Sequence, residues 1–263
     1  MAEEARWRTS ITDVRGDDLY YRGYHFLELA EKMDFASVVY LLFKGELPTP
    51  QQAKVFNALM ISVCDHGIVF NSAVSRIVAA CGSPIQASIA AGILTVGDIA
   101  GGAGEAATRM YKEVLERGQR EGKSSQEMAV TYVTEQLAEK KRINGYGHPM
   151  HPKGDPRASW LLGVSDKYGV SGDYVALARA MEEAIRKISG RAIPMNVDGA
   201  SAAVLCELGL DWRFAKAILI IPRAAGLAAH SVEETVREKG WRIVAAPEEI
   251  AYDGPPPRKV PSV

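Results

Sequence analysis

Apolar residues in this chain recur at intervals of three and four, the spacing that lines up one buried face of a helix. Val38, Leu41 and Leu42 form such a stripe, which stops at Gly45 and Pro48. Thr49 and Pro50 then offer the next helix an N-cap and a first-turn proline, and Val55, Leu59, Ile61 and Val63 continue it. The same reading places helices at Ser72–Cys81, Ile85–Gly97, Ala103–Arg117, Ser125–Lys140, Asp155–Tyr168, Asp173–Ser189, Gly199–Leu208 and Trp212–Lys239, the last broken near Pro222. Sustained alternation is missing, as are Asn-Gly turns between β-branched runs, so strands are not expected. The pattern predicts an all-α fold.

Two polar segments interrupt it, Asn144–Asp155 (NGYGHPMHPKGD) and Ala192–Asp198 (AIPMNVD). Irregular loops on a rigid scaffold are where chemistry tends to sit. From Ser88 to Ala107 alanine and glycine dominate, and such small residues let helices approach closely in a core or a subunit interface. No fixed-period repeat is present, and the tail after Asp253 is proline-rich and expected to be extended.

Composition narrows the function. The 263 residues are 47% apolar and 24% charged, enough to bury a core in one large or two modest domains. A formal net charge of -1 gives no general attraction for nucleic acid or an anionic membrane, so an anionic ligand must be held by local cations. Cys64, Cys81 and Cys206 are scattered and read as reduced thiols. The charged start MAEEARWRTS shows no secretory signal, and the apolar stretch Phe214–Ala229 is too short and too charged to span a bilayer. The expected place is the cytoplasm.

Several residues carry potential chemistry. His148 lies between a glycine and a proline, where its imidazole could bond a substrate hydroxyl or carbonyl, or be an ordinary loop histidine. His148 and His151 form an H-x-x-H pair, but no cysteine or suitably spaced carboxylate completes a metal site, and none is expected. Asp198 precedes a helix and is either its N-cap or a general acid–base. His66 either ends a helix or faces an anionic substrate. Arg157 begins a helix, where the dipole disfavours a cation and a ligand role is more attractive. Arg223, in an apolar helix, needs an anionic partner, from the protein or the substrate.

GYGHP, then DPRA, then NVDG resembles the citrate synthase superfamily pattern of a histidine loop, a substrate arginine and a catalytic aspartate. The resemblance covers nearly the whole chain: YYRGYHFLELA and FASVVYLLFKGELPT look like the family's N-terminal helices, and IPRAAGLAAH like a late one. Where synthases carry a histidine in a run like G-P-L-H-G-G-A, this chain reads GDIAGGA, with Ala100 at the histidine position. LTVGDIAGGAGEAATRMY, the DHG at Asp65–Gly67 and GWRIVAAPEEIAY look instead like the citryl-CoA lyase module of ATP-citrate lyase.

The resemblance implies a citrate synthase-like fold, with a large helical domain (1–104 and 211–263), an inserted small one (105–210) and a hinge near Gly101–Gly104. It implies cleavage of citryl-CoA to acetyl-CoA and oxaloacetate, with coenzyme A as part of the substrate and no metal. His148 would bond the citryl C3 hydroxyl, Asp198 would exchange the acetyl methyl proton, and His66, Arg157 and Arg223 would hold carboxylates. Backbone around Gly145, Tyr146 and Gly147 would hold the adenine, and Lys153, Lys187 and Arg191 the phosphates. With Ala100 in place of histidine, a water or an N–H near Gly101 or Gly102 would have to stabilise the enolate. The arginine that synthases contribute from a partner subunit is replaced around Pro247–Glu249. A homodimer or dimer of dimers is expected, working with a separate citryl-CoA synthetase. The rival readings are condensation of an acyl-CoA with a 2-oxo acid, and a silent CoA- or carboxylate-binding paralogue.

Overall fold

The computed structural model describes residues 6–148, 151–241 and 244–260. Pro149 and Met150 of the histidine loop, and Arg242 and Ile243 of the C-terminal run, lie outside the described residues. Among those described the fold is all-α, with eleven helices: α1 (Phe26–Lys32), α2 (Phe35–Lys44), α3 (Pro50–Ser62), α4 (Phe70–Ala80), α5 (Ile85–Leu94), α6 (Ala103–Glu121), α7 (Ser125–Ala138), α8 (Pro156–Lys167), α9 (Asp173–Ser189), α10 (Val197–Glu207) and α11 (Ala215–Arg237).

Local chemistry explains the boundaries. Thr49 Oγ1 accepts the Gln52 N–H at 3.2 Å while the Gln52 side chain accepts the Thr49 N–H at 2.9 Å, a reciprocal cap with Pro50 in the first turn of α3. Ser124 and Glu127 start α7 in the same way. Gly45, Gly122 and Gly190 end α2, α6 and α9 in the left-handed conformation that a side chain disfavours.

Two expectations fail. The helix expected to break at Pro222 runs unbroken through it. Proline removes one hydrogen bond, but the ring is buried where α11 lies across α4 and α5, and packing offsets that loss. With the 3-10 turn before it (Trp212–Phe214), this helix is also long and apolar enough, by length and composition, to cross a membrane. It nonetheless buries Arg223 and Glu234 against neighbouring helices. The second miss is a small antiparallel sheet, β1 (Thr12–Arg15), β2 (Asp18–Tyr21) and β3 (Tyr24–His25), with Val14 opposite Leu19 and Tyr21 opposite Tyr24. Its second turn uses Arg22 (φ 50°) and Gly23 (φ 89°) rather than Asn-Gly.

α10 is the centre of the molecule. It packs on α6, α8 and α9, and Ala200, Ala203, Val204 and Leu205 join the same core as Tyr40, Phe56, Tyr111 and Met181. Burying one such large side chain contributes roughly 1.5–3 kcal/mol. The alanine–glycine stretch meets the core at Gly92 of α5, where a Cβ would come 2.7 Å from the Asn71 carbonyl oxygen and 2.9 Å from Leu227 Cδ1. The N-termini of α4 and α10 and the middle of α11 meet around one cavity of about 300 Å³.

Candidate active site

The two polar loops are stitched together by their backbones. Tyr146 and Met195 form an antiparallel bridge, with Gly147 N–H donating to Pro194 O at 2.7 Å and Asn196 N–H to Gly145 O at 3.0 Å. Glycine is required here: Gly145 has φ 88°, and a Cβ on it would lie 2.7 Å from Gly199 Cα. This pairing brings His148 and Asp198, fifty positions apart, to the same cavity.

Asp198 is not the cap of α10. Asn196 is: its Oδ1 accepts the Gly199 N–H at 3.1 Å, and its Nδ2 donates to Gly147 O at 2.7 Å. Asp198 sits in the first turn and lines the cavity. Among the described residues no group donates a hydrogen bond to its carboxyl. Burial pushes its pKa up, against the pull of Arg157 and Arg223.

His66 and His148 line the same space, with ring centroids 5.6 Å apart, and His151 closes a cluster at 4.8 Å from His148 and 5.7 Å from His66. His66 Nε2 and His151 Nε2 are 3.4 Å apart. Burial pushes His66 below the ordinary imidazole range, helped by Arg157, His148 and Arg223. Burial does the same to His148, helped by His151 and opposed by Asp155. Both rings are therefore held toward the neutral form.

Arg157 and Arg223 supply the positive charge. Arg157 binds Asp155 through Nε (3.0 Å) and Nη2 (2.8 Å), so the carboxylate that caps α8 also offsets a cation in the first turn. The second Asp155 oxygen also accepts the Val197 N–H at 3.1 Å, which ties α8 to the start of α10. Burial raises Asp155, but Arg157 and the main-chain donors outweigh it and hold the carboxyl low. Arg223 is buried, and its hydrogen-bond partners are neutral: Val63 O at 3.0 Å and Asn71 Oδ1 at 3.2 Å. The carboxylate partner expected for it is not a protein group among the described residues. A cavity lined by a buried guanidinium with neutral partners suits an anionic ligand.

The remaining residues singled out in the sequence lie elsewhere. Tyr146 points its hydroxyl into the core, donating to Ala178 O at 2.7 Å and pairing with Tyr111 at 2.9 Å. Gly145 O, Gly147 N–H and Gly147 O each already bond the 194–196 loop. Lys153 and Arg191 are exposed, and Lys187 pairs with Glu183 at 3.2 Å; none lines the cavity. Ala100 and Gly101 do line it. Sequence reasoning missed Asp155, Asn196 and Asn71 as parts of the site, and read His151 only as half of an H-x-x-H pair. Asp155 was legible as an N-cap before Pro156; the others depend on which loops meet. A larger recess of about 690 Å³ beneath the N-terminal hairpin contains none of the residues named above for chemistry.

Known proteins share this fold and parts of this sequence. Citryl-CoA lyase from Hydrogenobacter thermophilus is 38% identical, with a TM-score of 0.89 over 98% of each chain. ATP citrate lyase from Methanothrix soehngenii, solved with citrate and coenzyme A, shares the fold at 23% identity and a TM-score of 0.81, over 97% of this chain and 43% of that one. Citrate synthase 2 of Bacillus subtilis (strain 168) is 29% identical over 217 residues, 81% of this chain and 55% of its own length. The chain thus spans about half the length of the curated citrate synthases it matches. The family model described as "Citrate synthase, C-terminal domain" matches residues 2–60 and 48–244. With a histidine loop, an arginine pair and a helix-borne aspartate meeting in one helical cavity, and a family match across most of its length, this chain belongs to the citrate synthase family.

Proposed function

We propose that this protein cleaves citryl-CoA to acetyl-CoA and oxaloacetate by a retro-Claisen reaction. The observation that carries the reading is one cavity in which an imidazole held toward neutrality faces a carboxyl held toward protonation, between two guanidinium groups. Burial favours the uncharged form of each, a neutral imidazole able to accept a proton and a carboxyl able to donate one. Ala100 in the cavity wall, and 38% identity to a citryl-CoA lyase over 98% of the chain, favour the lyase over the synthase.

In this mechanism Arg157, Arg223 and His66 hold the citryl carboxylates. His148 accepts the C3 hydroxyl proton as the C2–C3 bond breaks. The bonding electrons pass into the thioester enolate, leaving oxaloacetate's carbonyl, and Asp198 delivers its proton to the enolate carbon. Lys153, Lys187 and Arg191 are exposed cations for the CoA phosphates. Residues 105–210, carrying His148 and Asp198, close over the rest of the chain about Gly101–Gly104 and exclude water. The chain works as a homodimer or dimer of dimers supplied by a separate citryl-CoA-forming ligase.

The test is turnover of citryl-CoA by purified protein, followed as oxaloacetate release, beside acetyl-CoA plus oxaloacetate in reverse. Cleavage that disappears in Asp198→Asn supports the reading. Condensation without measurable cleavage assigns a synthase, and silence with every acyl-CoA, despite CoA binding, assigns a binding paralogue.

A further inference from the structure

Enolate chemistry needs a donor at the thioester oxygen, and at Ala100 this chain has only a methyl group. Asn71, the second residue of α4, lines the same cavity as Ala100 and Gly101 and is 9% exposed. Its Oδ1 accepts two hydrogen bonds, from Ser72 N–H at 2.9 Å and from Arg223 Nη1 at 3.2 Å. Both partners are obligate donors, so the amide can be oriented only one way. Its NH₂ therefore turns elsewhere, and among the described residues it meets no acceptor. The amide nitrogen is not sealed in the core, and at the wall of the cavity it is free to meet a ligand oxygen. Asn71 and the proposed proton donor Asp198 line the same cavity, with Arg223 fixing the Asn71 oxygen.

We infer that Asn71 is a catalytic residue whose Nδ2–H donates to the thioester oxygen as the enolate forms, in place of the histidine missing at Ala100. This rests on the lyase reading above. As the C2–C3 bond breaks, its electron pair moves into the thioester and negative charge gathers on that oxygen. The Asn71 amide holds it there until Asp198 returns a proton to carbon. The start of α4 adds its positive end to the same place.

The experiment pairs citryl-CoA cleavage with exchange of the acetyl-CoA methyl protons in D₂O, malate filling the oxo-acid site, for the wild type, Asn71→Asp and Asn71→Ala. Asn71→Asp keeps an oxygen for Ser72 and Arg223 and removes the donor, but adds a negative charge on Arg223, so it is read beside Asn71→Ala, which removes the donor without adding charge. Cleavage and exchange should both fall about 10²–10³-fold, the usual cost of losing one oxyanion donor. Oxaloacetate affinity should stay within threefold. A rate loss below threefold overturns the assignment. So does an oxaloacetate affinity that falls in step with the rate, which would put Asn71 on a carboxylate instead. If Asn71→Ala does not fold, Asn71→Asp decides. A wild type inactive in both assays rejects the lyase reading and this assignment with it.

Discussion

Asp198 and His148 face one cavity, and burial drives one toward its protonated form and the other toward its neutral form. Both shifts cost stability, so the site's chemistry and the fold's strength pull against each other. Asp198 has a raised folded pKa: its contribution is fully present below the ordinary carboxylate pKa and is lost as pH rises through the folded value. Asp198→Asn removes that loss. It should cut citryl-CoA turnover by 10³-fold or more yet raise the melting temperature at pH 7 by roughly 2–4 °C, the effect of ~1 kcal/mol in a chain of this size. A melting temperature that drops would show the carboxylate to be structural. For His66 and His148 the sign is opposite. Their folded pKa values are depressed, so stability is full above the ordinary imidazole pKa and is lost as pH falls through the folded values. Urea midpoints measured from pH 7 to pH 5 should decline more steeply for the wild type than for a His66→Asn, His148→Asn double variant. Equal slopes would mean that burial of these rings does not govern acid sensitivity.

The start of α3 was legible because the side chain and the backbone it caps are neighbours in sequence. Thr49 and Pro50 announce α3, and Thr49→Ala should cost about 1 kcal/mol in chemical denaturation with turnover unchanged. Where an element depends on distant packing, the local pattern misled. Pro222 reads as a breaker but lies inside α11, and the short β1–β3 ladder is too brief to show alternation. The glycines of the histidine loop were legible as a turn, but not as a contact. Gly145 and Gly199 allow that loop to touch the start of α10, so Gly145→Ala should both unfold the protein at lower denaturant and reduce turnover. Loss of stability with full activity in the residual folded fraction would separate the contact from the site.

The arrangement of the whole chain joins segments far apart in sequence: the loop after α3 brings His66, the histidine loop brings His148, the start of α8 brings Arg157, and α10 and α11 bring Asp198 and Arg223. If residues 105–210 close on the rest, oxaloacetate with a CoA thioether should lower the radius of gyration measured by small-angle scattering. An unchanged radius would remove the hinge from the mechanism. By itself the order of residues determined the helical class, most helix spans and the family, because helix periodicity, caps and short motifs are local properties of the chain. It also pointed to His66, His148, Arg157, Asp198 and Arg223. Only the tertiary structure decided that Asn196 rather than Asp198 caps α10, that Asp155 occupies Arg157, that Tyr146 faces the core, and that Asn71 lines the same cavity as Ala100. Those facts depend on which backbones pair and which polar groups are already satisfied, and satisfaction is settled by neighbours that sequence separation hides.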